Sequence, residues 1–351
     1  MVAPHPGLAP IIHAAGAAVG ALWGELSRVL LAPGSQFSLL SLASALIIAA
    51  AVIARRRRAR GRRVRLKVLA RTLFPRHILL SASSRADIGF MLLNIFATGA
   101  LIGWALISYA AVSHWAQAGL GGLLGVLEPS SAPAWVVAAG MTVIGFLAYE
   151  FAYWLDHWLS HSIPVLWEFH RVHHTAETLS PVTVFRVHPV ESLKFYNVSA
   201  LILGLTHGTA TWLVGGPAHE IAISGSNLIL LAFIFATVHL QHSHVWIAFT
   251  GPWGRLLASP AHHQIHHSTN PADFGKNLGS CLMLFDWMFG TLRIPARERE
   301  PLVFGVEPGA DSAHTVVSGL ITPFIRAAAL LRPAGARLPA PATARTPQGA
   351  V

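Results

Sequence analysis

Apolar positions fall along this chain in long blocks. Residues 37–54 ("FSLLSLASALIIAAAVIA") form a mainly apolar run, and 88–112 and 134–155 form two clearer ones. A further stretch, 195–238, can supply two runs joined near "GGPAHE". Crossing a bilayer as helix takes about 20 such residues. The pattern therefore predicts an all-α, polytopic membrane bundle of about four to five spans. Residues 11–32 are apolar but interrupted by Gly16, Gly20, Glu25 and Arg28, which predicts an amphipathic or peripheral helix. From residue 333 the chain is rich in Pro and Ala ("PAGARLPAPATARTPQGA"), the composition of a disordered tail.

Composition agrees with the pattern. Apolar residues make up 53% of the 351 and charged ones only 11%, far below the roughly 25% charged content of a soluble domain. The lone Cys281 has no partner for an intramolecular disulfide and builds no thiolate cluster. No basic region precedes the first apolar stretch, so no cleaved signal peptide is expected.

The net charge of +10 brings nucleic acid or an anionic surface into question. Its location decides. Ten arginines and Lys67 crowd into residues 55–76, directly after an apolar run and without an aromatic-studded groove motif. Such a block is a topology signal held against anionic head groups, not a nucleic-acid site. It assigns residues 55–87 to the cytoplasm, and alternation of the later spans brings His157 onward and His239 onward to the same side. A three-part organisation follows. Residues 1–87 carry the peripheral helix, first span and basic segment; 88–300 form a membrane-embedded unit with a cytoplasmic histidine-rich helical cap; 301–351 form a partly disordered tail.

The histidines recur at helical spacing. His157 and His161 ("DHWLSH") stand at i, i+4; His170, His173 and His174 ("HRVHH") and His263, His266 and His267 ("HQIHH") stand at i, i+3, i+4. Residues so spaced share one helix face, and neutral imidazole is a favoured ligand for iron, copper, nickel and zinc. Pro164 separates the first two clusters, and Ser259-Pro260 is a helix start just before the third. His242, directly after a span, joins the ligand set. His188, His239, His244 and His262 read equally as ligands or as hydrogen-bonding neighbours of ligands. The isolated His5, His13, His77, His114, His207, His219 and His314 read as ordinary interface or core residues. The three clusters alone hold eight histidines, more than one zinc needs, and "HWLSH" lacks the Glu of a zinc-peptidase motif. Imidazole also replaces the carboxylates of soluble di-iron bundles. A two-metal, oxygen-activating site fits best.

These motifs, in this order, resemble the fatty acid hydroxylase / sterol desaturase superfamily. "WEFHRVHHT", "FRVHPVE", "GPWGRLLASPAHHQIHH" and "KNLGSCLMLFDWMFGTL" carry the likeness across residues 145–293. The resemblance implies a membrane-bound, non-haem di-iron oxidoreductase. Such enzymes use O₂ and two electrons to hydroxylate, or desaturate, a lipid C–H bond. By position, His157, His161, His170, His173, His174, His242, His263, His266 and His267 would ligate two Fe ions. His244 stands where many relatives have a small polar residue or Asn. Asp156, Glu168 and Glu191 are candidates to hold ligand imidazoles by hydrogen bonds. Trp154, Trp158 and Trp167 read as interface anchors.

Neither a dinucleotide fingerprint nor an iron–sulfur cysteine pattern is present, and "HPGL" at His5 lacks a surrounding haem domain. A separate ferredoxin or cytochrome-type electron donor with its reductase is implied. The two other readings are a membrane zinc hydrolase, opposed by the ligand surplus, and a metal transporter or sensor. Transport would place ionisable ligands at mid-membrane within broken spans.

Overall fold

In the computed structural model, which describes residues 9–306 and 314–332, the chain is mostly helical. His5 and the Pro/Ala-rich tail from 333 lie outside the described residues. The amino-terminal part runs α1 (Ala9–Leu31), α2 (Leu39–Ala59), α3 (Leu66–Leu73) and α4 (Arg76–Leu79). Then come α5 (Ala82–Phe96), α6 (Thr98–Ile102), α7 (Tyr109–Leu124), α8 (Ala134–Ser162), α9 (Pro164–His174) and α10 (Pro189–Val214). A two-residue hairpin, β1 (Ala222–Ile223) with β2 (Ser226–Asn227), leads into α11 (Leu228–Phe233). A π turn (Ile234–Val238) and α12 (His239–Gln241) continue that arm. The remainder holds α13 (Gly251–Leu256), α14 (Pro260–His266), α15 (Leu284–Phe289) and α16 (Val316–Leu330), which packs on α9.

By length and composition, α2 and α8 can cross a membrane, and the pair 66–79 and 82–96, bent by 85°, would make a third crossing. Over 195–238, where two crossings are expected, the structure has α10 and the shorter arm Leu228–Gln241, and neither is among the helices long and apolar enough to cross a membrane. α10 carries Glu191 and Lys194 in its first turns, and the second arm is shorter than a full crossing.

The single run expected over 88–112 is interrupted. α5 stops at Ala97, and a 3₁₀ turn and an extended loop intervene before Ser108 caps α7. The cause is a set of replacement hydrogen bonds. Asn197 of α10 accepts from the Ile107 amide at 2.7 Å and donates to the Ala105 carbonyl at 3.2 Å. That side chain thus satisfies backbone groups that an unbroken helix would satisfy itself.

α7, α8 and α10 form the body of the bundle. α7 lies close against α10 because Gly204 and Gly208 lack side chains. A Cβ at Gly208 would stand 2.2 Å from the Ser113 carbonyl oxygen. Gly208→Val is expected to cost about 1–3 kcal/mol by overpacking and to lower the thermal midpoint in detergent. Gly140→Val, where a Cβ meets nothing within 4 Å, serves as the control.

At the other end, α2 lies against the segment that carries the histidines. Ala45, Ala49 and Ile53 pack with Leu240 and Val245, and the Arg56 guanidinium donates to the Trp246 carbonyl. The arginine block and the histidine segment therefore share one end of the molecule.

Candidate metal centre

Four helical segments deliver nine histidines to one place. The last turns of α8 carry His157 and His161. Pro164 at the first position of α9 turns the chain so that His170, His173 and His174 face back toward them. His242 follows α12 directly, just past the π turn. α14 starts with a capping box between Ser259 and His262, with Pro260 at its first position, and presents His263, His266 and His267.

The rings sort into two groups. His157, His161, His170, His174 and His266 form one; His173, His242, His263 and His267 form the other. Within each, one ring nitrogen per residue lies within 4.8 Å of all the rest. In the second group, His242 Nε2 is 3.1 Å from His173 Nε2, 2.8 Å from His263 Nε2 and 3.3 Å from His267 Nε2. His263 and His267 close the triangle at 3.1 Å. In the first, His170 Nε2 is 3.1 Å from His157 Nε2 and 3.2 Å from His174 Nε2.

A neutral ring nitrogen offers one N–H or one lone pair, so three of them in a triangle cannot hydrogen-bond along every side. Metal–imidazole bonds of about 2.1 Å would separate neighbouring nitrogens by about 3.0–3.4 Å, given right-angled to tetrahedral geometry. Five of the six spacings fall in that range, and the sixth, between His242 and His263, is 2.8 Å. His161 Nε2 and His266 Nε2 are buried with no hydrogen-bond partner among the described residues, as metal-facing atoms would be. The donor sets fit two cations bound through imidazole.

Outer partners fix the rings. His157 Nδ1 donates to the Leu278 carbonyl at 2.8 Å and His266 Nδ1 to the Lys276 carbonyl at 2.9 Å. His170 Nδ1 meets Glu191 Oε1 at 2.5 Å. Each bond commits Nδ1 and leaves Nε2 to face inward. Burial lowers the pKa of His170, His174, His242, His263 and His267, that of His173 to about 3 and that of His266 to about 4. The rings are neutral, which is the form that coordinates.

Of the seven candidate supporting residues, Glu191 alone touches one of these nine rings. Asp156 pairs with Lys194 at 2.6 Å. Glu168 faces Arg171 and Arg326 at 3.8 and 3.7 Å. His188 caps α10 and contacts the Leu320 carbonyl. His239 contacts Gln36 and Ser41, and His244 donates to the Thr72 carbonyl at 2.7 Å. His262 bonds Ser259 and the Gly254 carbonyl. Trp154 stacks on Phe289 rather than on the cage.

Two carboxylates that carried no assignment from sequence hold the loop that orients His157. Asp286, fully buried, accepts from the amides of Leu278 and Gly279, both at 2.8 Å. Glu150 accepts from the amides of Cys281 and Leu282 at 2.8 and 2.6 Å. The signal was present in "KNLGSCLMLFDWMFGTL", whose conspicuous Asp stands among apolar residues.

A cavity of about 890 Å³ opens onto the cage at His157, His170, His173 and His242. Phe37, Ile95, Phe195, Leu230, Ile234 and Val238 supply much of its apolar wall. Its size and lining suit a lipid chain.

Buried histidine nitrogens gathered at the head of the cavity define the class: a helical protein with two imidazole groups that could hold metal ions. Residues 142–291 match the fatty acid hydroxylase family. Through that domain the chain is similar to proteins of the fatty acid hydroxylase/sterol desaturase superfamily. It is 28% identical over 172 residues to an alkylglycerol monooxygenase of Danio rerio, covering 46% of this chain and 32% of that protein. It is 29% identical over 159 residues to an ornithine lipid hydroxylase of Rhizobium tropici, covering 45% and 44%. It is 28% identical over 168 residues to a Delta(7)-sterol-C5(6)-desaturase of Nicotiana tabacum, covering 47% and 54%. The chain thus spans about a third to a half of the length of these relatives. No solved structure matches it.

Proposed function

We propose that this chain is a membrane-bound non-haem di-iron oxidoreductase that hydroxylates, in preference to desaturating, a C–H bond of a lipid. The observation that carries the reading is the pair of histidine groups at the head of the 890 Å³ apolar cavity. In the net reaction one atom of O₂ enters the C–H bond, and the other leaves as water with two electrons and two protons. Bound iron would supply O₂ activation and removal of the hydrogen. The chain's own part is placement. The Leu278 and Lys276 carbonyls and Glu191 aim the imidazoles, and the apolar walls hold the lipid and exclude water.

The nine histidines are the proposed ligands, five to one ion and four to the other. Residues 88–300 are the catalytic unit. The contact of Arg56 with Trp246 supports a cytoplasmic cap, since it joins the basic block to the histidine segment. Electrons come from a separate ferredoxin or cytochrome-type donor with its reductase, docking on that face.

A zinc hydrolase needs a carboxylate base beside one ion, whereas Glu191 is turned onto His170 Nδ1. A transporter needs its ligands at mid-membrane, whereas these sets gather at helix ends. Metal analysis of the purified full chain, expressed with iron and zinc both available, tests the reading. About two irons per chain are expected. In Glu191→Gln, iron affinity should fall about 10–100-fold in a chelator titration. Zinc or copper in place of iron, or a single ion per chain, would overturn it.

A further inference from the structure

A second cavity, of about 280 Å³, lies along the same bundle farther from the cage. The elements that line the two cavities are shared. α8 supplies Gly145 to the second and Tyr149 to the first; α10 supplies His207 and Tyr196 respectively; the turn before α11 supplies Glu220 and Ser226. Along α8, Gly145 stands twelve positions before His157, a rise of about 18 Å. That sets Gly145 about midway along α8, a helix long and apolar enough to cross a membrane.

The second cavity carries two ionisable side chains, the exposed Glu220 and the half-buried His207. Glu220 Oε2 accepts from Asn227 Nδ2 at 2.6 Å, and the carboxylate makes no ion pair among the described residues. It sits in space that a glycine vacates: a Cβ on Gly145 would stand 2.9 Å from Glu220 Oε2. The His207 ring meets Tyr109 edge-on at 5.7 Å. From sequence, His207 reads as an ordinary interface residue; the structure sets it in one cavity with an unpaired acid. Ionisable groups within a membrane bundle mark binding or transfer sites. A carboxylate and an imidazole there both accept hydrogen bonds, so their complement is a hydrogen-bond donor borne on an apolar chain.

We propose that this cavity binds the hydroxyl or amine group of a long-chain lipid whose chain points along α8 toward the histidines. Binding itself stands on the cavity alone; the claim that the chain reaches reacting atoms rests on the oxygenase reading. The site would fix the distance between the lipid's polar group and the carbon that is oxidised.

The test is saturation binding of radiolabelled octadecane, 1-octadecanol and octadecylamine to the detergent-purified, metal-loaded full chain. At least one polar probe is expected to bind about tenfold more tightly than octadecane. Glu220→Gln should remove most of a preference for the amine, and His207→Phe should weaken whichever polar probe is favoured. An amine preference that collapses in Glu220→Gln identifies an aminolipid; an alcohol preference that survives it but falls in His207→Phe identifies a hydroxylated lipid. Equal binding of all three probes overturns the site. So does a polar preference unchanged in both variants while they elute as wild type. Metal content, read on the same samples, reports separately on the oxygenase: a preference retained by protein without iron supports this site and sinks that reading.

Discussion

His242→Ala should leave one half of the cage unable to hold its ion, lowering metal content from about two per chain to about one. His242 is the hub of its group, within 3.3 Å of three other ring nitrogens. Its removal takes one of four donors and opens the cage toward the lipid cavity, which His242 also lines. With one ion missing, turnover of lipid should fall below detection. The paired control is His244→Ala, two residues away, whose ring donates to the Thr72 carbonyl. That variant should keep both ions. Metal analysis of the two proteins, with product measured by mass spectrometry in lipid extracts, decides the matter. Full metal content in His242→Ala would exclude it as a ligand.

Arg186→Met should be the most destabilising single change outside the cage. Arg186 is 1% exposed and Asp87 fully buried, with Nε and Oδ1 at 2.6 Å. Thr183 donates to the other Asp87 oxygen, while Arg186 also bonds the carbonyl and hydroxyl of Ser83. Removing one partner of such a pair strands the other charge, at a cost of about 3–5 kcal/mol. Replacing both partners by apolar residues costs much less, since no charge remains. Thermal unfolding in detergent should therefore rank wild type first, then Arg186→Met with Asp87→Leu, then Arg186→Met alone. A single variant as stable as wild type would mean that water reaches Asp87.

Spacing in the sequence singled out the histidines that the structure gathers and left their partition hidden. Helical spacing marks His170, His173 and His174 as one face, yet the structure sends His170 and His174 to one group and His173 to the other. α14 divides likewise, with His266 apart from His263 and His267. Spacing reports neighbours on a helix; which group each ring joins depends on how the helices cross. Partners of the rings were hidden for another reason. The Leu278 and Lys276 carbonyls are backbone atoms without residue identity; of the carboxylates that hold their loop, Asp286 is remote in sequence from His157, and Glu150, seven residues before it on α8, meets amides of Cys281 and Leu282 far along the chain. Hydropathy gave the apolar run over 88–112 but not its break, because the bonds replacing the helix come from Asn197, far along the chain. His207 and Glu220 looked unremarkable singly; only the fold sets them around one cavity.

The division of α9 and α14 between the two groups has a consequence for how the protein holds together. In polymer terms each filled site would be a cross-link, and the two would share the segments they tie. One joins α8, α9 and α14; the other joins α9, the His242 segment and α14. The loops so closed include the whole α10–α12 hairpin, and closing long loops removes conformational entropy from the unfolded chain. Metal loading would then act as a late step of assembly, locking the cap onto the bundle after the helices have packed.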